Sequence, residues 1–326
     1  CKIWPHKASF IDQFSDSTTV NTRYLSLPLN YYQDLHDSGK RNVIWKAEAC
    51  RLQKINIQKL LDETKIDIND IGLIASATTT GIAVPGLDAL MMNQFPFSVH
   101  TKRLPIFGLG CLAGVAGMNR VNDYLLGHPT KAALLMVTEL CSLTFQLEDE
   151  SIANLIGATL FGDGAGAVLM VGVDHPLSKS ASFEIMTTES IFYPDTERLM
   201  GWDMIDSGFQ LVLSNDIPLL VKNQVRQSVD EFLIKNEITI NDIAYYIAHP
   251  GGPKVLEALC ESIEIPKSKL SLSWESLSNY GNTSAASVIN VLSQTIETSD
   301  IVPEKLGLMM AMGPAFSLEL SLVRKC

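Results

Sequence analysis

Ile68-Asn69-Asp70-Ile71-Gly72-Leu73-Ile74-Ala75 is echoed 172 residues later (242 − 70 = 172) by Ile240-Asn241-Asp242-Ile243-Ala244-Tyr245-Tyr246-Ile247-Ala248. Each copy is a polar Asn-Asp turn followed by a short apolar run, the pattern of a buried strand. Repetition at this distance predicts a duplicated fold. The echo continues outward. Gly108-Leu109-Gly110-Cys111 opens an apolar, helix-like run to Leu126, and Gly281-Asn282-Thr283-Ser284 opens another to Leu292. Lys131 to Val137 parallels Lys305 to Ala311, and Ala165 to Val171 parallels Ser317 to Val323. The runs are apolar throughout rather than alternating, which suits strands covered on both faces by helices. Ahead of the first copy, Leu52, Ile55, Leu60 and Leu61 fall at roughly helical spacing and predict a helix over 47–63. Pattern alone gives an α/β duplication with halves 1–172 and 173–326; a single long Rossmann sheet is the alternative.

Composition narrows the function. The 326 residues carry 25 Lys+Arg against 36 Asp+Glu, a net charge of −11. That argues against nucleic acid, which needs a basic footprint. No apolar run reaches the roughly 18 residues of a membrane span; the longest, Leu306 to Phe316, is broken by Gly307, Gly313 and Pro314. Cys1-Lys2-Ile3-Trp4 carries neither an initiator Met nor a signal-peptide pattern, and reads as the interior of a longer protein. The six cysteines form no C-x-x-C pair, so neither a zinc site nor a disulfide framework is expected, and a cytoplasmic protein with reduced thiols is. Gly108-Leu109-Gly110 and Phe161-Gly162-Asp163-Gly164-Ala165-Gly166 are weak matches to a dinucleotide fingerprint, and there is no P-loop, H-E-x-x-H or G-x-S-x-G.

Three polar residues stand where polarity is unusual. Cys111 follows Gly-Leu-Gly at the start of a helix-like run. A thiol there feels the positive end of the helix dipole, which favours the nucleophilic thiolate; the alternative is a small buried Cys in a glycine-rich contact. His249 ends an apolar strand and precedes Pro250-Gly251-Gly252-Pro253, where open α/β sheets place ligands; a satisfied core histidine is the commoner case. The other five (His6, His36, His100, His128 and His175) read as surface residues. Asn282, taken alone, reads as a helix N-cap. Its position matters more, because it lies in the element that echoes the Cys111 turn. In a pseudo-symmetric duplication the three residues converge. A thiol, an imidazole and an amide suffice for acyl transfer: the thiolate attacks, and His and Asn N–H groups hold a thioester oxygen.

The motifs Gly110-Cys111-Leu112-Ala113-Gly114, Phe161-Gly162-Asp163-Gly164-Ala165, His249-Pro250-Gly251-Gly252-Pro253, Tyr280-Gly281-Asn282-Thr283-Ser284 and Met312-Gly313-Pro314-Ala315-Phe316 resemble the type III polyketide synthases, the chalcone-synthase-like branch of the thiolase fold. The resemblance covers nearly the whole chain, except for the first strand and helix that members usually carry. Sister ketoacyl synthases share Cys-His-Asn, but their histidine usually sits in H-Q-A-N. The resemblance implies a duplicated, layered α-β-α-β-α fold and a homodimer. It implies an acyl starter on Cys111, with malonyl-CoA held and decarboxylated by His249 and Asn282, and no cofactor beyond the CoA thioesters. It makes Phe183 a gatekeeper, with Leu211 at the second gatekeeper position, no longer aromatic. Val84 would reach across the dimer. Cys141, Thr144 and Ser284 would line the cavity, and Trp202 would cap it. Arg23, Lys254, Gly251 and Gly252 would bind CoA.

The few basic residues there also suit a starter delivered by an acyl carrier protein, as in hybrid synthases of the amoebal Steely type. Cys141 where plant members commonly have Thr, with Leu211 and Val84, points to a fatty acyl starter and an alkylpyrone or alkylresorcinol product. A single-step ketoacyl synthase or acyltransferase, and a non-catalytic dimeric partner, are the competing readings.

Overall fold

The computed structural model describes residues 4–298 and 301–326; Cys1 lies outside them. The first half runs α1 (Ala8–Ser17), α2 (Ser38–Thr64), β1 (Ile71–Thr78), α3 (Leu87–Met92), β2 (Lys102–Phe107), α4 (Ala113–Leu126), β3 (Ala132–Leu140), α5 (Ile152–Leu160) and β4 (Asp163–Val171). The second runs β5 (Phe183–Phe192), β6 (Met200–Ile205), β7 (Gly208–Leu213), α6 (Ile217–Leu220), α7 (Arg226–Lys235), β8 (Ile243–Ala248), α8 (Pro253–Ser262), α9 (Ser271–Tyr280), α10 (Ala285–Glu297), β9 (Leu306–Gly313) and β10 (Ser317–Lys325).

Two mixed four-stranded sheets result, ordered β2-β1-β3-β4 and β5-β10-β9-β8, with β6-β7 as a separate ribbon. The duplication is visible in the pairings. β1 runs parallel to β3 and β3 antiparallel to β4; β8 runs parallel to β9 and β9 antiparallel to β10. Both Ile-Asn-Asp turns are single 3₁₀ turns leading into the equivalent strands β1 and β8. The sheets face each other across α4 and α10, whose Val115, Met118, Val121, Val288 and Val291 fill the middle layer. Outside them, α2 and α3 cover the first sheet, and α7 and α8 cover the second. This is a thiolase-like α-β-α-β-α sandwich.

The elements follow from local chemistry. In β3 every residue is buried, as an unalternating apolar strand between two helix layers must be. β4 differs: all nine of its residues are only half-buried, although its sequence is equally apolar. For α2 the structure corrects the expected stripe. Asp37 caps the helix by accepting from Lys40 N at 2.6 Å, and its buried seam is Arg41, Trp45, Ala49, Gln53 and Ile57, a strict four-residue repeat. Ile55 points outward and is 53% exposed. The seam was hidden because two of its members are polar. Both find backbone acceptors: Arg41 Nη1 donates to Phe145 O at 2.6 Å, and Gln53 Nε2 to Val137 O at 2.8 Å. His175 is likewise buried rather than on the surface; its Nδ1 accepts from Leu177 N at 3.2 Å.

Candidate active site

Cys111 sits in the single turn Gly110–Leu112 directly before α4. Gly110 adopts φ +51°, and a β-carbon there would lie 2.6 Å from Pro314 Cδ, so the turn requires glycine. At Gly114 a β-carbon would lie 2.5 Å from the Ala285 carbonyl oxygen. Its absence lets the first turns of α4 and α10 touch. The two pseudo-equivalent helix starts therefore lie side by side, and Asn282 and Ser284 reach the Cys111 thiol as hydrogen-bond partners.

Asn282 is held firmly. Its N–H donates to Leu160 O at 2.9 Å, its carbonyl accepts from Gly162 N at 3.0 Å, and its Oδ1 accepts from Ser284 N at 2.8 Å. Its Nδ2 donates to Gly251 O at 3.0 Å, which ties it to the turn after His249. His249 ends β8 and is anchored by its own N–H on Met310 O at 2.9 Å. Both of its ring nitrogens are buried, with no hydrogen-bond partner among the described residues.

The electrostatics at the two residues are set by burial. Burial pushes the Cys111 thiol up to about 11, against hydrogen bonds from Ser284 and Asn282, and the nearby Glu139 charge pushes the same way. Burial pushes His249 down to about 3. Desolvation thus acts against the charged forms of both groups, in opposition to the helix dipole at Cys111.

Cys141 lies next to this cluster, at the end of β3. Burial raises its thiol, with the Glu139, Asp163 and Cys111 charges adding to the shift. Thr144 is buried and donates to Cys141 O at 2.8 Å. Trp202 pairs with Leu211 across the β6-β7 ribbon. Leu211 faces α5: a β-carbon on Gly157 would meet Leu211 Cδ2 at 2.8 Å and Phe161 Cδ2 at 3.5 Å. Phe161 also forms a bridge with Asn282. The aromatic beside Leu211 and Asn282 is therefore Phe161. Phe183 is elsewhere, at the first position of β5, with its ring 5.8 Å from Tyr245 and Lys325 Nζ 4.7 Å above it. Phe161 belongs to a motif quoted from the sequence, and only its place beside Asn282 sets it apart from Phe183.

Among the expected CoA contacts, Lys254 is exposed at the start of α8 and Gly252 caps that helix. Arg23 is differently engaged: its Nη1 donates to Ala158 O at 2.5 Å and Phe161 O at 2.9 Å, fastening the segment before α2 to the end of α5. Val84 is 92% exposed.

Glu139 was missed. It is fully buried on β3, and its Oε2 accepts from Thr79 N at 3.1 Å and Thr80 Oγ1 at 2.9 Å. Its Oε1 accepts from Thr79 Oγ1 and from Ser284 Oγ, both at 3.2 Å. Burial outweighs these bonds and pushes its carboxyl up to about 7. A lone acid in the otherwise apolar run Ala132–Leu140 was the signal that could have found it.

Residues 5–175 match the family "Chalcone and stilbene synthases, N-terminal domain", and residues 184–326 match "Chalcone and stilbene synthases, C-terminal domain". The chain belongs to the chalcone and stilbene synthase family. It is a type III polyketide synthase, a decarboxylating condensing enzyme. It is 40% identical over 308 residues, 94% of the chain and 81% of the relative, to a 1,3,6,8-tetrahydroxynaphthalene synthase of Streptomyces peucetius subsp. caesius. A putative chalcone synthase of Bacillus subtilis (strain 168) is 35% identical over 331 residues, 98% of the chain and 91% of the relative. The crystal structure of the Streptomyces coelicolor A3(2) tetrahydroxynaphthalene synthase superposes with a TM-score of 0.93 at 27% identity, covering 98% of this chain and 90% of that one.

Proposed function

We propose that this synthase loads an acyl starter on Cys111 and extends it by repeated decarboxylative condensation with malonyl-CoA. The observation that carries this is the Cys111 thiol with Ser284 and Asn282 as partners, Asn282 being tied to the turn after His249, whose two ring nitrogens have no hydrogen-bond partner among the described residues. A neutral imidazole has one lone pair and one N–H. The lone pair takes the thiol proton as sulfur attacks the starter thioester, and returns it to the departing CoA thiolate. In the next half-reaction malonyl-CoA loses CO₂. The His249 N–H and the second Asn282 N–H hold the enolate oxygen, and the enolate carbon attacks the Cys111 thioester, releasing the thiolate. In transfer terms the enzyme is an acyltransferase. Phe161 takes the gatekeeper place assigned from the sequence to Phe183.

For the starter, the apolar Leu211 beside Phe161 and the slim Cys141 favour a fatty acyl chain, closed to an alkylpyrone or alkylresorcinol. A second reading has malonyl itself as the starter. It is favoured by the polar wall of Ser284, Glu139, Thr79 and Thr80 next to Cys111, and by the name of the 40%-identical relative. Mass spectrometry of products separates them: the enzyme is given malonyl-CoA alone, then malonyl-CoA with hexanoyl- to dodecanoyl-CoA. Products retaining the added chain are expected. A product built from malonyl units in both incubations would replace the first reading with the second. The exposed Lys254 supports delivery from CoA, and a starter carried only by an acyl carrier protein would show as acylation of Cys111 from that carrier alone. Among the described residues no helix is long and apolar enough to cross a membrane, and Cys50, Cys111, Cys141, Cys260 and Cys326 are free thiols, which supports a cytoplasmic setting.

A further inference from the structure

Asp163 opens β4, two residues after Phe161. Four donors converge on its carboxylate. Oδ1 accepts from Ser142 N at 2.7 Å. Oδ2 accepts from Ser142 Oγ and Ser26 N, both at 2.6 Å, and from Ser26 Oγ. A carboxylate has about four lone-pair sites, so these donors use its whole capacity.

The donors come from two separate stretches of chain. Ser142 directly follows Cys141. Ser26 lies in the segment 20–27, which is tied to both halves. Asn21 N and Thr22 N donate to Ser278 O at 2.8 and 3.2 Å, and Arg23 holds the Phe161 carbonyl at 2.9 Å. Tyr24 O then accepts from Asp163 N at 2.9 Å. Tyr32 joins the same knot. Its oxygen accepts from Leu27 N at 3.1 Å, and its O–H donates to Ser142 Oγ at 2.6 Å, the direction left open because Ser142 gives its own proton to Asp163.

The duplication supplies a comparison. Ala165 to Val171 parallels Ser317 to Val323, so the equivalent of Asp163 is Ala315, which has no side-chain acceptor. At this position the carboxylate belongs only to the half that carries Cys111 and Cys141. The sheet geometry common to both halves therefore does not require it.

Resting on the reading of Phe161 as gate and Cys141 as cavity wall, we infer that Asp163 is a positioning residue that sets starter specificity by fixing the Phe161 and Cys141 backbones relative to each other. Its side-chain bonds all go to Ser26 and Ser142, so it acts through them: on the wall through Ser142, and on the Phe161 carbonyl through the segment that holds it. Asparagine tests this with almost no change of shape. The two serine hydroxyls can turn to suit an amide, but the two backbone N–H groups cannot. Ser142 N faces Oδ1 and Ser26 N faces Oδ2, so one of them loses its acceptor whichever way the amide is turned.

The experiment measures loading of Cys111 from hexanoyl-, dodecanoyl- and malonyl-CoA by mass spectrometry of the intact chain, with rates counted per acylatable Cys111. Asp163→Asn should raise KM for loading at least about fivefold and change the ranking or spacing of the three starters, with kcat within about twofold of the parent. A part in folding alone would lower the acylatable fraction or the melting temperature and leave KM and the ranking untouched; that result would overturn the inference. So would an equal fall in kcat for all three starters at constant KM. Phe161→Leu, measured alongside, separates the inference from the reading beneath it. If Phe161→Leu alters the starter profile and Asp163→Asn does not, the inference alone fails; if Phe161→Leu alters nothing, the gate reading fails and the inference with it. Should Asp163→Asn not fold, Ser26→Ala combined with Ser142→Ala removes two of the four donors and keeps the carboxylate. That variant should raise KM by about twofold or more, and an unchanged KM would overturn the inference.

Discussion

At the residue scale the site is defined by burial of groups that prefer to be charged. Burial shifts Cys111 and His249 both toward their neutral forms. Iodoacetamide labelling of Cys111, read by mass spectrometry, should accelerate steadily from pH 7 to pH 10; a plateau already reached below pH 8 would show a thiolate at neutral pH instead. Glu139 has the complementary behaviour. Its folded pKa of about 7 lies above its ordinary 4.5, so the folded protein binds this proton more tightly than the unfolded chain does. The resulting stability is fully present below pH 4.5 and is lost as pH rises through 7, about 3 kcal/mol in all. Glu139→Gln removes that dependence. Between pH 5 and pH 8 the parent should lose denaturant resistance relative to the variant, and parallel curves would disprove the assignment. Cys111, His249 and Asn282 were legible because each sits in a short local motif. Glu139 was not, because its donors come from two places far apart in the chain, Thr79-Thr80 and Ser284.

At the element scale the decisive contact is between the starts of α4 and α10. The echo between the Cys111 and Asn282 turns made their meeting readable from sequence, since pseudo-equivalent elements pack about a common axis. The close approach itself was not readable, because Gly114 looks like any other glycine until the Ala285 carbonyl is placed over it. Gly114→Val would set a β-carbon 2.5 Å from that oxygen and 2.4 Å from Val288 Cγ1. Overpacking of this kind typically costs about 1–3 kcal/mol, and here it also drives Asn282 and Ser284 away from the thiol. The variant should keep its helix content by circular dichroism and lose at least about tenfold in condensation rate, since a misplacement near 1 Å has costs of that order or more. Gly127→Ala, which adds only an ordinary 3.6 Å contact at the far end of α4, should be silent. Equal activity of the two variants would sink the argument. The stripe of α2 failed for a related reason: Arg41 and Gln53 are buried by specific acceptors that sequence periodicity cannot see.

At the scale of the whole molecule, β2 is an outer strand of the first sheet, and exposed apolar side chains occur in the stretch from β1 to its end: Val84 is 92% exposed, Val99 87% and Phe107 57%. Soluble monomers rarely leave such a group together, and a free strand edge is itself a template for pairing. Two copies meeting at β2 about a two-fold axis would cover both at once and join the first sheets of the two protomers, the commonest closed arrangement. Val84, almost fully exposed, would then face the partner. A homodimer is therefore expected by light scattering, with twice the chain mass at micromolar concentration. Phe107→Glu places a charge on that edge with no change to Cys111, His249 or Asn282. It should yield monomers that still accept an acyl group on Cys111 but give an altered or truncated product profile, because the partner's Val84 no longer closes the cavity. A dimer that survives Phe107→Glu would place the interface elsewhere, and a fully active monomer with unchanged products would remove Val84 from the cavity altogether.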